Sequence, residues 1–302
     1  MALRKLAAVT PEVANLIHAL RANSKGLTRE AARSLVRTYY QMQKTRILLG
    51  NRASALQRAE LNSDHLNGIA DMFMELEKEV AVWLDAFSGS HPVGVWARGQ
   101  YGVGPVLAAG LLAALDMEKT PYVSSFWALC GLDPTKVWEK GKKAPHNPEL
   151  KALCWKLGES FVKVSNNENA FYSKVYADRK LYEWAKNLRG EYADLVGKRN
   201  YTYGDDTESY KWTSGQYKGV VNHFEGNYTP IFAGAAAERV AMIPPQAIHS
   251  RAKRYAVKLF LSHFWQKSFE HAYPGKEAPH PWVTTYGGHS HIIPPPPVMK
   301  QP

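Results

Sequence analysis

The sequence predicts a mostly α-helical protein: an N-terminal helical hairpin or bundle, then a helix-hairpin-helix-containing α domain with an irregular insertion. Three observations carry that prediction. Apolar residues recur at three- and four-residue spacing through the first ninety positions, with no alternating strand pattern. The turn Gly102-Val103-Gly104-Pro105 opens an apolar helix rich in alanine. The stretch 197–245 abounds in Gly, Asn, Thr and Tyr and loses helical periodicity. The expected organisation is a basic helical region over 1–90, a helical domain over 91–270 with its insertion at about 190–245, and a Pro- and His-rich tail over 271–302.

Taken in order, Pro11 starts a helix carrying Val13, Leu16, Ile17 and Leu20. Thr28 is placed to cap a second helix that runs to near Leu49, with a break at Gly50-Asn51. A third, from about Asp64 to Phe87, turns Leu66, Ile69, Phe73, Leu76, Val80 and Leu84 inward and Asp71, Glu75 and Glu79 outward. Gly89-Ser90-His91-Pro92 breaks the chain. Helices are then expected from Pro105 to Leu115, from about Ser125 to Cys130, from Pro148 through Phe161, from Ala170 to about Leu188, and from Pro245 to Phe269. Residues 135–148 read as a loop. The tail from Pro274 holds eight of the 18 prolines and is expected to be extended or disordered.

With 302 residues and 45% hydrophobic content, the chain has material for one large or two modest domains and is no wholly disordered polymer. No apolar run approaches a membrane span, and the N-terminal residues do not read as a secretory leader. Cys130 and Cys154 alone make no disulfide framework, so a reducing, cytoplasmic or nucleoid-associated setting is the expectation.

The net charge of +11 is concentrated. Between positions 21 and 58 there are nine basic residues and one acid, and Arg29, Arg33 and Arg37 form one helical stripe. A second cluster includes Lys140, Lys142 and Lys143. A third places Arg251, Arg254 and Lys258 along one side of the last helix. Such clusters are the footprint of a phosphate-binding surface. Solubilising charge is the plainer alternative; an anionic membrane fits less well, because these helices lack an opposite face rich in Trp and Phe.

The turn at Gly102, Val103 and Gly104 has the pattern of a helix-hairpin-helix: glycines admit a phosphate close to the backbone, and N–H groups at the following helix start face it. A dinucleotide fingerprint would need a third glycine where Leu107 stands. The bland alternative is a tight helix–helix corner without a ligand.

Gly102-Val103-Gly104-Pro105, Phe126, Gly131-Leu132-Asp133-Pro134 and Asn147-Pro148-Glu149-Leu150-Lys151-Ala152-Leu153 occur here in order, followed by Phe171-Tyr172, Tyr176 and Lys180. In these motifs the chain resembles the C-terminal domain of bacterial insertion-sequence transposases of the one-ten/one-sixteen/nine-oh-two type, over residues 95–185 and 246–270. The resemblance implies a helical DNA-handling domain. Two departures accompany it. The family's RuvC-like half and its acidic tetrad have no counterpart in the first ninety residues, and two-metal strand transfer needs such paired acids. The family's nucleophilic serine is also missing: residues 135–141 read Thr-Lys-Val-Trp-Glu-Lys-Gly.

The expectation is therefore a DNA-binding protein, with RNA as the other polynucleotide, no catalytic centre of its own, no cofactor and no metal. An active recombinase, whose chemistry comes from a partner subunit or from a nucleophile of this chain that the motifs do not identify, is the first alternative; a homo-oligomer or a nuclease is the partner it calls for. A structural adaptor is the second. His289 and His291 lack the ligand spacing of a metal site. Tyr201, Tyr203, Tyr210, Trp212 and Tyr217 in the insertion are candidates for stacking on unpaired bases or for packing the loop.

Overall fold

The computed structural model describes residues 26–192, 194–195, 243, 245–280 and 292–299. The first expected helix and the insertion's five aromatic residues lie outside them. The protein is mostly α-helical: among the described residues there are eight helices and no strand. They are α1 (Arg29–Arg58), α2 (Asp64–Gly89), α3 (Pro92–Arg98), α4 (Pro105–Ala114), α5 (Val123–Leu129), α6 (Pro148–Lys163), α7 (Phe171–Leu188) and α8 (Pro245–Ala272).

Two compact units divide the chain, Met1–Leu153 with Ser262–Pro302, and Cys154–Leu261. The division falls inside α6 and α8. Position 90, expected to separate two domains, lies within the first unit, because α4 packs against both α1 and α2.

In the first unit, Thr28 caps α1 through its side chain, whose oxygen accepts the Ala31 N–H (3.2 Å). The break expected at Gly50 does not occur. One helical glycine costs only about 1 kcal/mol relative to alanine, and the helix continues past it to bury Ala53. Helix α2 folds back on α1 after residues 59–63, and Arg46 Nε donates to Glu77 Oε1 (2.7 Å) while its Nη2 donates to Oε2 (3.0 Å). This pair corrects the expected inner face of α2: Glu77 and Glu75 are buried, whereas Ile69 and Leu76 are exposed. Toward its C-terminal end, Val80 and Leu84 turn inward as expected.

Helix α4 is apolar all round, and Val106 through Ala113 are buried. Its small residues set how near the neighbours come. A Cβ added at Gly110 would stand 2.8 Å from Leu153 Cδ2 and 3.5 Å from Val36 Cγ1. Val36, Val80, Leu84, Val106, Ala109 and Ala113 form one core cluster with Ala32. Elsewhere in the unit Phe126 stacks on Phe264, and Trp265 Nε1 donates to the Thr120 carbonyl (2.8 Å).

Asn147 starts α6: its side-chain oxygen accepts the N–H groups of Glu149 (2.9 Å) and Leu150 (3.2 Å). In the second unit the core is aromatic. Phe161 stacks on Tyr172, and Tyr172 meets Phe260 edge-on, with ring centroids 5.2 and 5.0 Å apart. Asn187 closes a bidentate pair with the backbone of Ile243, donating to its carbonyl (3.1 Å) and accepting its N–H (2.9 Å). Tyr255, expected in the core of α8, is instead exposed, and its ring carries the Arg179 guanidinium 4.5 Å from the centroid. Cys130 and Cys154 are both buried thiols.

Candidate nucleic-acid interface

The turn between α3 and α4 is built from two differently placed glycines. Gly102 has φ +87°, the left-handed region that a side chain disfavours. Gly104 is the N-cap of α4 with φ −99° and ψ 174°, which any residue adopts. Nothing lies within 4 Å of where its Cβ would stand, so the approach is open there. Pro105 lacks an N–H, and the first-turn amides of Val106 and Leu107 have no acceptor inside the helix.

Val103 differs from the expectation. Its N–H donates to the Gln100 carbonyl (3.1 Å), and the residue is only 1% exposed. The turn uses Val103 as its apolar anchor, and that amide is not presented to an anion.

The arginine stripe of α1 is exposed but partly committed. Arg29 stands at the helix start, close enough to His91 that its charge adds to the burial and the His271 ring that hold His91 below its ordinary pKa. Neutral His91 keeps the ring nitrogen that caps α3 by accepting the Val93 N–H (3.2 Å). Arg33 Nη2 donates to the Ala113 carbonyl (2.7 Å), where the last carbonyls of α4 lack helical partners. Arg37 pairs with Glu149 (2.7 Å), both side chains about half exposed at 54% and 51%. A pair that open to water is worth at most about 1 kcal/mol, so Arg37 exchanges partners easily, whereas Arg33 holds two helices together.

In the 135–148 loop, Lys140 and Lys143 are exposed, and Lys142 pairs with Glu139 (2.7 Å). Trp138 Nε1 donates to the Lys142 carbonyl (2.7 Å), which fixes the loop while leaving the residue 57% exposed. An exposed indole between lysines offers a flat face for a nucleobase. Its signal in the sequence is an aromatic residue between lysines, Lys136-Val137-Trp138-Glu139-Lys140.

The second unit separates the third cluster. Arg251 was expected on the exposed side of α8 with Arg254 and Lys258. Instead Arg251 Nε donates to Glu183 Oε2 (2.6 Å), while Arg179 Nε donates to Oε1 (2.8 Å) and the Tyr192 hydroxyl donates to the same carboxylate. Glu183 is 1% exposed, so its ion pair draws Arg251 inward. Burial pushes the Glu183 pKa up, but the hydrogen bonds from Tyr192 and Arg251 outweigh it and leave it below the carboxylate norm. Arg254 is exposed and Lys258 half-buried.

Glu183→Ala is expected to destabilise the fold by about 2 kcal/mol: breaking a buried pair costs ~3–5 kcal/mol, less here because both guanidiniums reach water. The Glu183 contribution is present above the ordinary carboxylate range and lost as pH falls through its lower folded pKa. Urea unfolding of wild type and variant at neutral pH checks the size, and equal stability would refute it.

Among the described residues, no group of three or more His, Cys, Asp or Glu is arranged to hold a metal ion. No helix among them is long and apolar enough to cross a membrane. Fold and side chains thus define a basic, mostly α-helical protein. Comparison with protein families, with curated proteins and with solved structures finds no match.

Proposed function

We propose that this chain binds nucleic acid, DNA before RNA, through the phosphate backbone at the glycine turn that opens α4. The observation that supports the reading most is the open approach at Gly104, directly before first-turn amides that lack intrahelical acceptors. Exposed cations of the same unit, Arg29, Arg37, Lys140 and Lys143, supply counter-charge, and Trp138 a stacking surface. The kinship with insertion-sequence transposases belongs to this proposal, with strand cleavage left to a partner. One observation favours the rival reading of a helix corner without ligand: Val103 is buried with its amide engaged.

Gly104→Asp separates the two. The backbone suits any residue, the space is open, and aspartate is at least as good an N-cap as glycine, so stability is expected to hold or rise by a few tenths of a kcal/mol. A carboxylate there repels phosphate. Fluorescence anisotropy with a labelled duplex is expected to show wild-type binding that weakens steeply with salt, and binding by the variant at least about tenfold weaker. Gly102→Ala is the poorer probe, because its positive φ makes it a folding defect as well. Salt-independent binding, or a Gly104→Asp protein that binds as wild type does, would sink the proposal.

A further inference from the structure

Residues 292–299, part of the tail expected to be extended or disordered, are held at an organised place. Trp96 Nε1 donates to the Pro296 carbonyl (2.9 Å) and Gln100 Nε2 to the Pro297 carbonyl (2.9 Å). His263 Nε2 donates to the Ile293 carbonyl (2.8 Å), and the Met299 N–H donates to the Gly99 carbonyl (3.0 Å). All of these residues belong to the first unit.

We propose that the surface made by Trp96, Gly99, Gln100 and His263 is a polyproline-binding groove, and that its ligand is this chain's own 293–298 segment, supplied in cis. The chemistry matches on both sides. The four prolines at 294–297 have no N–H to donate, so their carbonyls must look outside the segment for partners. The groove answers with side-chain donors. The carbonyls met by His263 and Trp96 belong to residues 293 and 296, three apart, and three residues make one turn of a polyproline helix. After the run, the Met299 N–H finds a backbone acceptor at Gly99, the C-cap of α3.

The segment crosses close to Gly99: a Cβ there would lie 2.5 Å from Val298 Cγ1 and 3.2 Å from Val298 Cβ. A second hydrogen bond from Gln100 Nε2 to the Trp96 carbonyl (3.3 Å) sets the donor's direction. Pro296 is buried, yet Ile292 and Val298 each remain 49% exposed, so the segment lies in a groove and is not part of a closed core. A ligand held mainly by hydrogen bonds to its carbonyls is one that can leave and return, which is how proline-rich recognition works elsewhere.

The test uses the full chain and no nucleic acid, so it stands or falls separately from the function proposed above. Pro296→Asp puts a charge into the groove and releases the cis segment without touching any helix. A fluorescent peptide with the sequence of residues 292–299 is expected to bind this variant at least tenfold more tightly than wild type, whose tethered segment competes at high effective concentration. Adding Trp96→Phe to Pro296→Asp is expected to abolish that uptake. In the intact chain, the Met299 amide is expected to exchange slowly with deuterium, and at least tenfold faster in Trp96→Phe alone. The proposal is overturned by equal peptide uptake in wild type and Pro296→Asp, by no uptake in the variant, or by uptake that survives Trp96→Phe. Should Pro296→Asp not fold, an unchanged Met299 exchange rate in Trp96→Phe overturns it as well.

Discussion

Gly94→Ala is expected to destabilise the first unit by about 3 kcal/mol or more, the upper end of what overpacking costs. A Cβ at this position in α3 would lie 2.0 Å from the Ser88 carbonyl oxygen and 2.8 Å from Leu112 Cδ1. The first contact is with backbone, in the last turn of α2, and backbone cannot swing aside as a side-chain methyl does. Ser88 is itself fixed, since it is fully buried and its hydroxyl donates to the Leu84 carbonyl (2.8 Å). Relief requires α3 to move away from α2 and α4, which both pack on it. Gly110→Ala is the informative comparison: its nearest obstacle is the tip of Leu153, which can rotate, so a smaller loss is expected. Urea denaturation of both variants measures the difference, and a Gly94→Ala protein as stable as wild type would show that the α2–α3 contact is not the tight one.

Acidification from neutral pH toward pH 4 is expected to remove on the order of 3 kcal/mol through His263 alone, at 1.36 kcal/mol for each unit of pKa difference. Burial, and to a smaller degree the charge of Lys267, push this imidazole down to about 4, although its hydrogen bond to the Ile293 carbonyl acts the other way. The folded protein therefore binds fewer protons than the unfolded chain between about pH 4 and the ordinary histidine value near 6.5. Stability is complete above that upper value, falls as pH drops through the interval, and stops falling from this source below the folded pKa. His263→Gln keeps a donor for the Ile293 carbonyl and cannot take up a proton in this range. Unfolding free energies at pH 7 and pH 4.5 are expected to differ less in His263→Gln than in wild type. An unchanged difference would mean that other groups carry the acid sensitivity.

Local signals located most of the helices. Thr28, Pro105 and Pro148 mark helix starts because each solves the problem of unpartnered N–H groups, by accepting a bond or by having no N–H. The all-apolar run 106–113 announced a buried helix, and its alanines and glycine announced close neighbours. Other features left weaker traces. Helix α3 has seven residues, too short for periodicity, and only His91-Pro92 hinted at it. Gly50 looked like a stop, since the packing of Ala53 beyond it could not be weighed from composition. The inner face of α2 does not follow from hydropathy, which counts Glu77 as a surface residue; only the partner at Arg46 makes its burial tolerable.

The candidate interface divides along the same line. That glycines, arginines and lysines cluster at 29–37, 102–104, 140–143 and 251–258 is plain from residue order, because charge and backbone freedom belong to each residue on its own. Which cations face outward is a property of pairs far apart in the chain. Arg33 is drawn to Ala113, Arg251 to Glu183 and the Val103 amide to Gln100, while Arg29, Lys140 and Lys143 stay at the surface. The proline run could be read directly; that Trp96 of α3, Gln100 just beyond it and His263 of α8 hold the carbonyls of Pro296, Pro297 and Ile293 could not. Short-range chemistry thus specifies helices and their caps. Long-range packing, which must satisfy every buried donor and charge at once, decides which of the remaining groups are left to meet a ligand.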